Sequence, residues 1–206
     1  MQSTIAKAIF NSHSYLEYRK LVYDLLRDNI STGDEQSESL ALASSLNETR
    51  MNLLEKTLQL SDEMIVRLKS LKRHYIWLVI SEGWCEDAAH LLPVFYKMAE
   101  ASEGNIDLKI VLRDDNKDLM HFFLTNKKPS IPKLILINKE TGRALAHWGP
   151  QPKGAADLVD AYKKEHGVFD EKIQAELLLW YLHDKGITAQ SEIIDMMLDL
   201  DADSGF

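Results

Sequence analysis

The chain carries one cysteine, Cys85, in the run Ser81-Glu-Gly-Trp-Cys-Glu-Asp-Ala-Ala-His90. A single sulfur cannot close an internal disulfide, so any redox work at Cys85 needs a second molecule. The run sits where an apolar strand gives way to a helical pattern, outside the carboxyl end of a sheet strand, where open α/β sheets place their ligand sites. A helix N-terminus there favours a thiolate by about 0.3–1 kcal/mol. Glu86 and Asp87, next in the chain, oppose it: one exposed carboxylate at ~5 Å contributes a comparable unfavourable amount by Coulomb's law. The two effects cancel unless a cation helps, and Arg50 and Arg113 are the candidates. Glu86 and Asp87 read most simply as first-turn acids that suit a helix N-terminus; alternatively, Asp87 is a general acid/base or a hydrogen-bond partner of the sulfur. Trp84 can shield one side of the thiol. His90, five residues past Cys85, is poorly spaced for a shared metal on one helix face, so neither a metal nor a cofactor is expected.

The second feature is Ser130-Ile-Pro-Lys-Leu-Ile-Leu-Ile137. Pro132 opens a strand, where its missing N–H does no harm, and a cis bond between Ile131 and Pro132 is expected.

The elements that must position these residues fall into three stretches. Residues 1–74 read as almost wholly helical, with Ile5, Ile9, Tyr15, Leu16, Leu21, Val22, Leu25 and Leu26 at near-helical spacing, a polar break over 31–39, and a second helix through Leu46, Leu53, Leu54 and Leu58. Ser61, with Asp62 and Glu63 behind it, starts a third. Residues 75–166 change rhythm: strands at Tyr75–Ile80, Ile106–Leu112, Lys133–Asn138 and Arg143–Trp148, and helices at 88–103, 118–126 and 155–165. That order predicts an α/β layer with a mainly parallel sheet ending in an antiparallel pair. Residues 167–206 return to helix, with a stop at Gly186 and a last helix over 192–200 whose acidic tail, Asp199 to Asp203, is expected to fray. The three stretches are expected to form one globular unit: a core with helical extensions packed on it.

Composition narrows the function classes. Of 206 residues, 45% are hydrophobic and only 9 are Gly and 5 Pro, an ordinary globular balance. Thirty-two acids against 24 Lys plus Arg leave a net charge of −8, which argues against a nucleic-acid partner. The longest apolar runs are far too short to cross a bilayer, and the first twenty residues lack a continuous apolar run, so a cytoplasmic protein without a membrane partner is expected.

Strand, Trp84-Cys85, helix, and then Ile131-Pro132 at a strand start is a combination that resembles the thioredoxin superfamily. More narrowly, it is similar to a bacterial branch carrying Trp-Cys-x-Asp-Ala in place of Cys-x-x-Cys. The agreement extends to Asn47-x-x-Arg50-Met51, Arg113-Asp114, Leu124-Thr-Asn126 and Trp148-Gly-Pro150, covering residues 40–165. The resemblance implies that Cys85 holds the attacking position and Ala88 the resolving one. The family's buried acid falls on Val79, and Ile131 offers backbone hydrogen bonds to an extended peptide. Asn47, Arg50, Arg113 and Trp148 become supporting candidates. Trp148 is otherwise expected to cap the last strand, with Pro152 near the start of the next helix.

An ordinary dithiol cycle is excluded by Ala88. Two function classes remain. In the first, Cys85 performs monothiol thiol–disulfide exchange with a protein or small-molecule thiol or disulfide, or senses oxidants through a sulfenic acid. In the second, the chain is a non-catalytic peptide- or protein-binding module with Cys85 structural. The position of the single cysteine tips the reading to the first, with the second as the alternative that the losses at Val79 and Ala88 favour.

Overall fold

The computed structural model describes residues 1–202. Its centre is β1, Tyr75–Ser81. The run is apolar throughout because both faces are covered, and Tyr75, Trp77, Leu78, Val79 and Ile80 are wholly buried. Three further strands, β2 (Ile106–Leu112), β3 (Lys133–Asn138) and β4 (Ala144–Trp148), give the sheet order β2-β1-β3-β4. β1 pairs in parallel with β2 from Tyr75↔Ile106 to Ser81↔Leu112, and antiparallel with β3; β3 and β4 are also antiparallel.

This is the expected thioredoxin-like α/β architecture, but with one parallel pair out of three in place of a mainly parallel sheet. The reason lies between β2 and β3. A parallel return needs a long crossover, usually a helix, to carry the chain back to the starting end. The expected helix over 118–126 is instead a single turn, α6 (Lys117–Met120), flanked by 3-10 turns at Asp114–Asn116 and His121–Phe123. The chain therefore stays at the Cys85 end, and β3 runs back from there.

Eight further helices complete the described fold: α1 (Gln2–Phe10), α2 (Tyr15–Arg27), α3 (Glu38–Thr57), α4 (Asp62–Lys69), α5 (Glu86–Ala101), α7 (Lys153–His166), α8 (Glu171–Asp184) and α9 (Ile187–Ala202). The near-helical spacing of Ile5 to Leu26 is split, because Ser14 and Glu17 form a reciprocal capping box that starts α2 afresh. In the gap, His13 and Ile110 exchange backbone hydrogen bonds of 2.8 Å, covering the outer edge of β2. The polar break ends early: Ser37 caps α3, whose hydroxyl accepts from the Leu40 N–H. The acidic tail does not fray through Ala202. Asp201 is buried and accepts from the Tyr75 hydroxyl at 2.7 Å and the Lys72 N–H at 2.6 Å, which ties α9 to the start of β1. Asp203 lies outside the described residues. Side chains from all three stretches, among them Ile5, Trp77 and Ile193, share one apolar core.

Of these helices α3 matters most to the site, since it carries Asn47 and Arg50 over the Cys85 loop. It is held on α2 by Arg19, only 8% exposed, which pairs with Glu48 at 2.5 Å and with Glu55 and also donates to Asn52. Breaking a fully buried pair costs about 3–5 kcal/mol. Glu55 remains partly exposed, so Arg19→Met is expected to lower unfolding stability by roughly 2 kcal/mol. Urea denaturation measures it; a loss below ~0.5 kcal/mol would show that α3 is held otherwise.

Candidate functional site

α5 begins immediately after Cys85, which occupies the N-cap position with extended backbone. The sulfur points at the facing loop: its S–H donates to the carbonyl oxygen of Ile131 at 3.4 Å. The Ile131–Pro132 peptide is cis. Cys85 is 7% exposed and Ile131 8%. Ala88, at the resolving position, is buried one turn into α5.

Both helical extensions grip the loop that presents this thiol. From the N-terminal side, the Thr32 hydroxyl accepts from the Gly83 N–H at 2.7 Å, and the Asn47 amide donates to the Gly83 carbonyl oxygen at 3.0 Å. Arg50 in turn donates to Asn47 Oδ1 at 2.8 Å and to Glu86 at 3.2 Å. From the C-terminal side, the Tyr181 hydroxyl donates to Asp87 Oδ1 at 2.7 Å, and the Gln151 amide reaches both Asp87 oxygens at 3.0 Å. The sequence motif Asn47-x-x-Arg50 thus holds the loop and does not supply a cation to the sulfur. Arg113 lies over the Trp84 ring, 4.9 Å from its centroid, and donates to Asp114 at 2.8 Å. Trp148 turns away from the loop: its ring meets Phe95 edge-on and its N–H donates to Glu192 at 2.8 Å.

Pro132 is braced by backbone and by a buried lysine. Gly149, at φ +103, passes so near that a Cβ there would lie 2.5 Å from the Pro132 oxygen, which only glycine permits. Lys133 donates to the Gly149 carbonyl oxygen at 2.7 Å and to the Thr125 hydroxyl at 2.5 Å, and burial pulls its ammonium down to about 8.

The electrostatic balance at Cys85 differs from that of an exposed helix terminus. Burial pushes the thiol far above its ordinary range, and the Asp87 charge pushes it the same way. The amides of Ala88 and Asp87 and the Arg113 charge favour the thiolate, but less strongly. Desolvation is the factor a sequence reading lacks, and it outweighs the helix terminus. Asp87 is itself raised to about 6, by burial first, against the hydrogen bonds from Gln151 and Tyr181. His90 is pulled down to about 3 by burial and then by Arg50, and its ring stacks on Tyr181 with centroids 4.3 Å apart. The arrangement therefore offers a neutral thiol that donates a weak hydrogen bond, beside a carboxyl group that titrates near pH 6.

Tyr181, Thr32 and Lys133 were not legible as site residues. Nothing in their local sequence marks them, since each arrives by tertiary packing. Lys133 alone left a trace, as a lysine opening an otherwise apolar strand.

A strand leading to a cysteine at a helix start, facing a cis-proline loop across a mixed sheet, defines a thioredoxin-like protein. The family model described as thioredoxin matches residues 33–163, and the chain belongs to that family. Two crystal structures share its fold. One is a protein of unknown function from Pseudomonas aeruginosa, with TM-score 0.59 and 17% identity, over 91% of this chain and 98% of that one. The other is an HIV epitope-scaffold, with TM-score 0.56 and 19% identity, over 86% of this chain and 97% of that one. No curated protein matches the chain. No described helix is long and apolar enough to cross a membrane.

The raised Asp87 makes a signed prediction. Its folded pKa, about 6, exceeds the unfolded value near 4. The folded state therefore binds more protons between those limits, and this contribution, complete below about pH 4, is lost as pH rises through about 6. His90 acts oppositely, because its folded pKa is depressed and its protonation favours the unfolded chain as pH falls below about 6.5. Urea denaturation at pH 4 and 6.5 should show wild type losing stability on the order of 2 kcal/mol relative to Asp87→Asn over that interval. Parallel pH profiles for the two proteins would contradict it.

Proposed function

We propose that this thioredoxin-family chain is a non-catalytic peptide-binding module of a single-cysteine branch marked by Trp84-Cys85-Glu86-Asp87-Ala88. One observation carries the reading: Cys85 is buried and spends its proton on the Ile131 carbonyl oxygen. A reactive cysteine needs a thiolate and access; this one has neither in the closed loop. Its hydrogen bond is nevertheless a weak one, because sulfur is a poor donor. A backbone N–H from an extended segment of a partner protein makes a stronger bond to the same carbonyl. Cys85 on this reading is a placeholder that keeps Ile131 satisfied until a peptide arrives. A free, unpaired thiol suits a reducing compartment, so the module is assigned to the cytoplasm.

A second reading, monothiol exchange, is favoured by Asp87. A carboxyl group titrating near 6, whose charge acts on the thiol, can take its proton at neutral pH once it exchanges its present partners Tyr181 and Gln151. The thiolate would then attack a disulfide of a small molecule or protein, expel one of its sulfurs as thiolate, and leave a mixed disulfide for an external thiol to resolve.

Alkylation by iodoacetamide at pH 7 separates the two. The binding reading expects native Cys85 to react on the order of 100-fold more slowly than the urea-unfolded chain, and Asp87→Asn not to slow it further. A native rate close to the unfolded one, cut by Asp87→Asn, would replace the binding module with monothiol exchange.

A further inference from the structure

A cavity of about 410 Å³ opens between α3, α5, α8 and the start of α9. Its volume falls within the range of small-molecule sites. Leu53, Leu182 and Ile187 line it, and each remains more than half exposed although it is a large apolar side chain. Arg50 and Lys185 also line it, and no lining residue is an Asp or Glu. In a chain of net charge −8, a cavity with two cations and no acid is selective for anions.

His90 is part of the same wall and only 6% exposed; its Nε2 has no hydrogen-bond partner among the described residues and no accessible surface, so the ring and not this nitrogen faces a ligand. The polar anchor is Arg50, since Asn47 and Glu86 take only two of its five N–H donors. Its ion pair with Glu86 is half-exposed on the glutamate side and correspondingly weak.

We infer that this cavity binds an amphipathic monocarboxylic acid, its carboxylate on Arg50 and its hydrocarbon tail on Leu53, Leu182 and Ile187. The carboxylate takes up the spare guanidinium donors of Arg50. The tail removes from water the apolar surface that those three side chains leave exposed, at about 25 cal/mol per Å². Lys185, exposed at the mouth, steers the anion inward. The cavity shares Arg50 and Tyr181 with the contacts that hold the Cys85 loop, but its test reads ligand binding and does not depend on whether that thiol reacts.

Calorimetric titration of the full chain with octanoate, octanol and octylammonium, below micelle-forming concentrations, tests it. Octanoate is expected to bind saturably and at least tenfold more tightly than octanol, with no binding of octylammonium. It should shift the His90 ring protons in NMR spectra, and octanol should not. Leu182→Asp puts a negative charge at the tail position of an exposed residue, and should weaken octanoate at least tenfold with the fold intact. Arg50→Gln should weaken it too; because Arg50 also steadies Asn47, Leu182→Asp is the deciding variant. No saturable octanoate binding, equal binding of the three probes, undiminished binding to Leu182→Asp, or preference for a short peptide with an apolar C-terminal residue would each overturn the assignment.

Discussion

The hydrogen bond from the Cys85 thiol to the Ile131 carbonyl oxygen exists only while the sulfur keeps its proton, and the surrounding structure is arranged to keep it there. At 7% exposure the sulfur has little water to stabilise a negative charge. The Asp87 carboxylate, the largest charge effect on the thiol, makes ionisation harder still. A helix terminus worth about a kilocalorie does not offset a desolvated anion. The site combines the thioredoxin geometry with the opposite electrostatics from those that a nucleophilic cysteine requires.

What closes the loop is the pair of helical extensions. Thr32 and Asn47 bind the N–H and carbonyl of Gly83, while Tyr181, joined by Gln151 of the core, holds Asp87. These contacts come from segments far apart in the chain, so the state of the thiol depends on how α3 and α8 dock. Arg19, buried between α2 and α3, is the strongest of the ties on the first side. On the second, the stacked His90 and Tyr181 rings connect α5 to α8. The same two helices wall the anion-selective cavity, which places a ligand site against the elements that hold Asp87.

The fold was legible because local patterns announced it. An unbroken apolar run at Tyr75 to Ile80 meant a strand covered on both faces, and Ser130-Ile-Pro marked the start of another. Strand direction was less legible, since nothing in the residues between β2 and β3 says that α6 stops after one turn. The split between α1 and α2 could have been read from Ser14 and Glu17, whose spacing is that of a capping box, but the apolar periodicity across them masked it. At the site, Cys85 and Asp87 could be named from their place at a strand-to-helix junction, and Asn47 and Arg50 from the resemblance to the family, whereas their pairings could not. Arg50 was expected near the sulfur and instead serves Asn47 and Glu86. Burial of Cys85 is a property of the whole packed molecule, and it decides an electrostatic balance that neighbours in sequence leave even.

The protonation state of Cys85 in the native protein tests this account most directly. The ¹³Cβ chemical shift of Cys85, followed by NMR across the range in which the fold persists, reports it without a reagent that must reach the sulfur. A neutral, hydrogen-bonded thiol predicts one unchanging shift through and beyond pH 8.5, where an unperturbed cysteine would titrate. A titration step at or below that pH would show a thiolate within reach of neutral conditions, and would contradict the closed, structural role of Cys85.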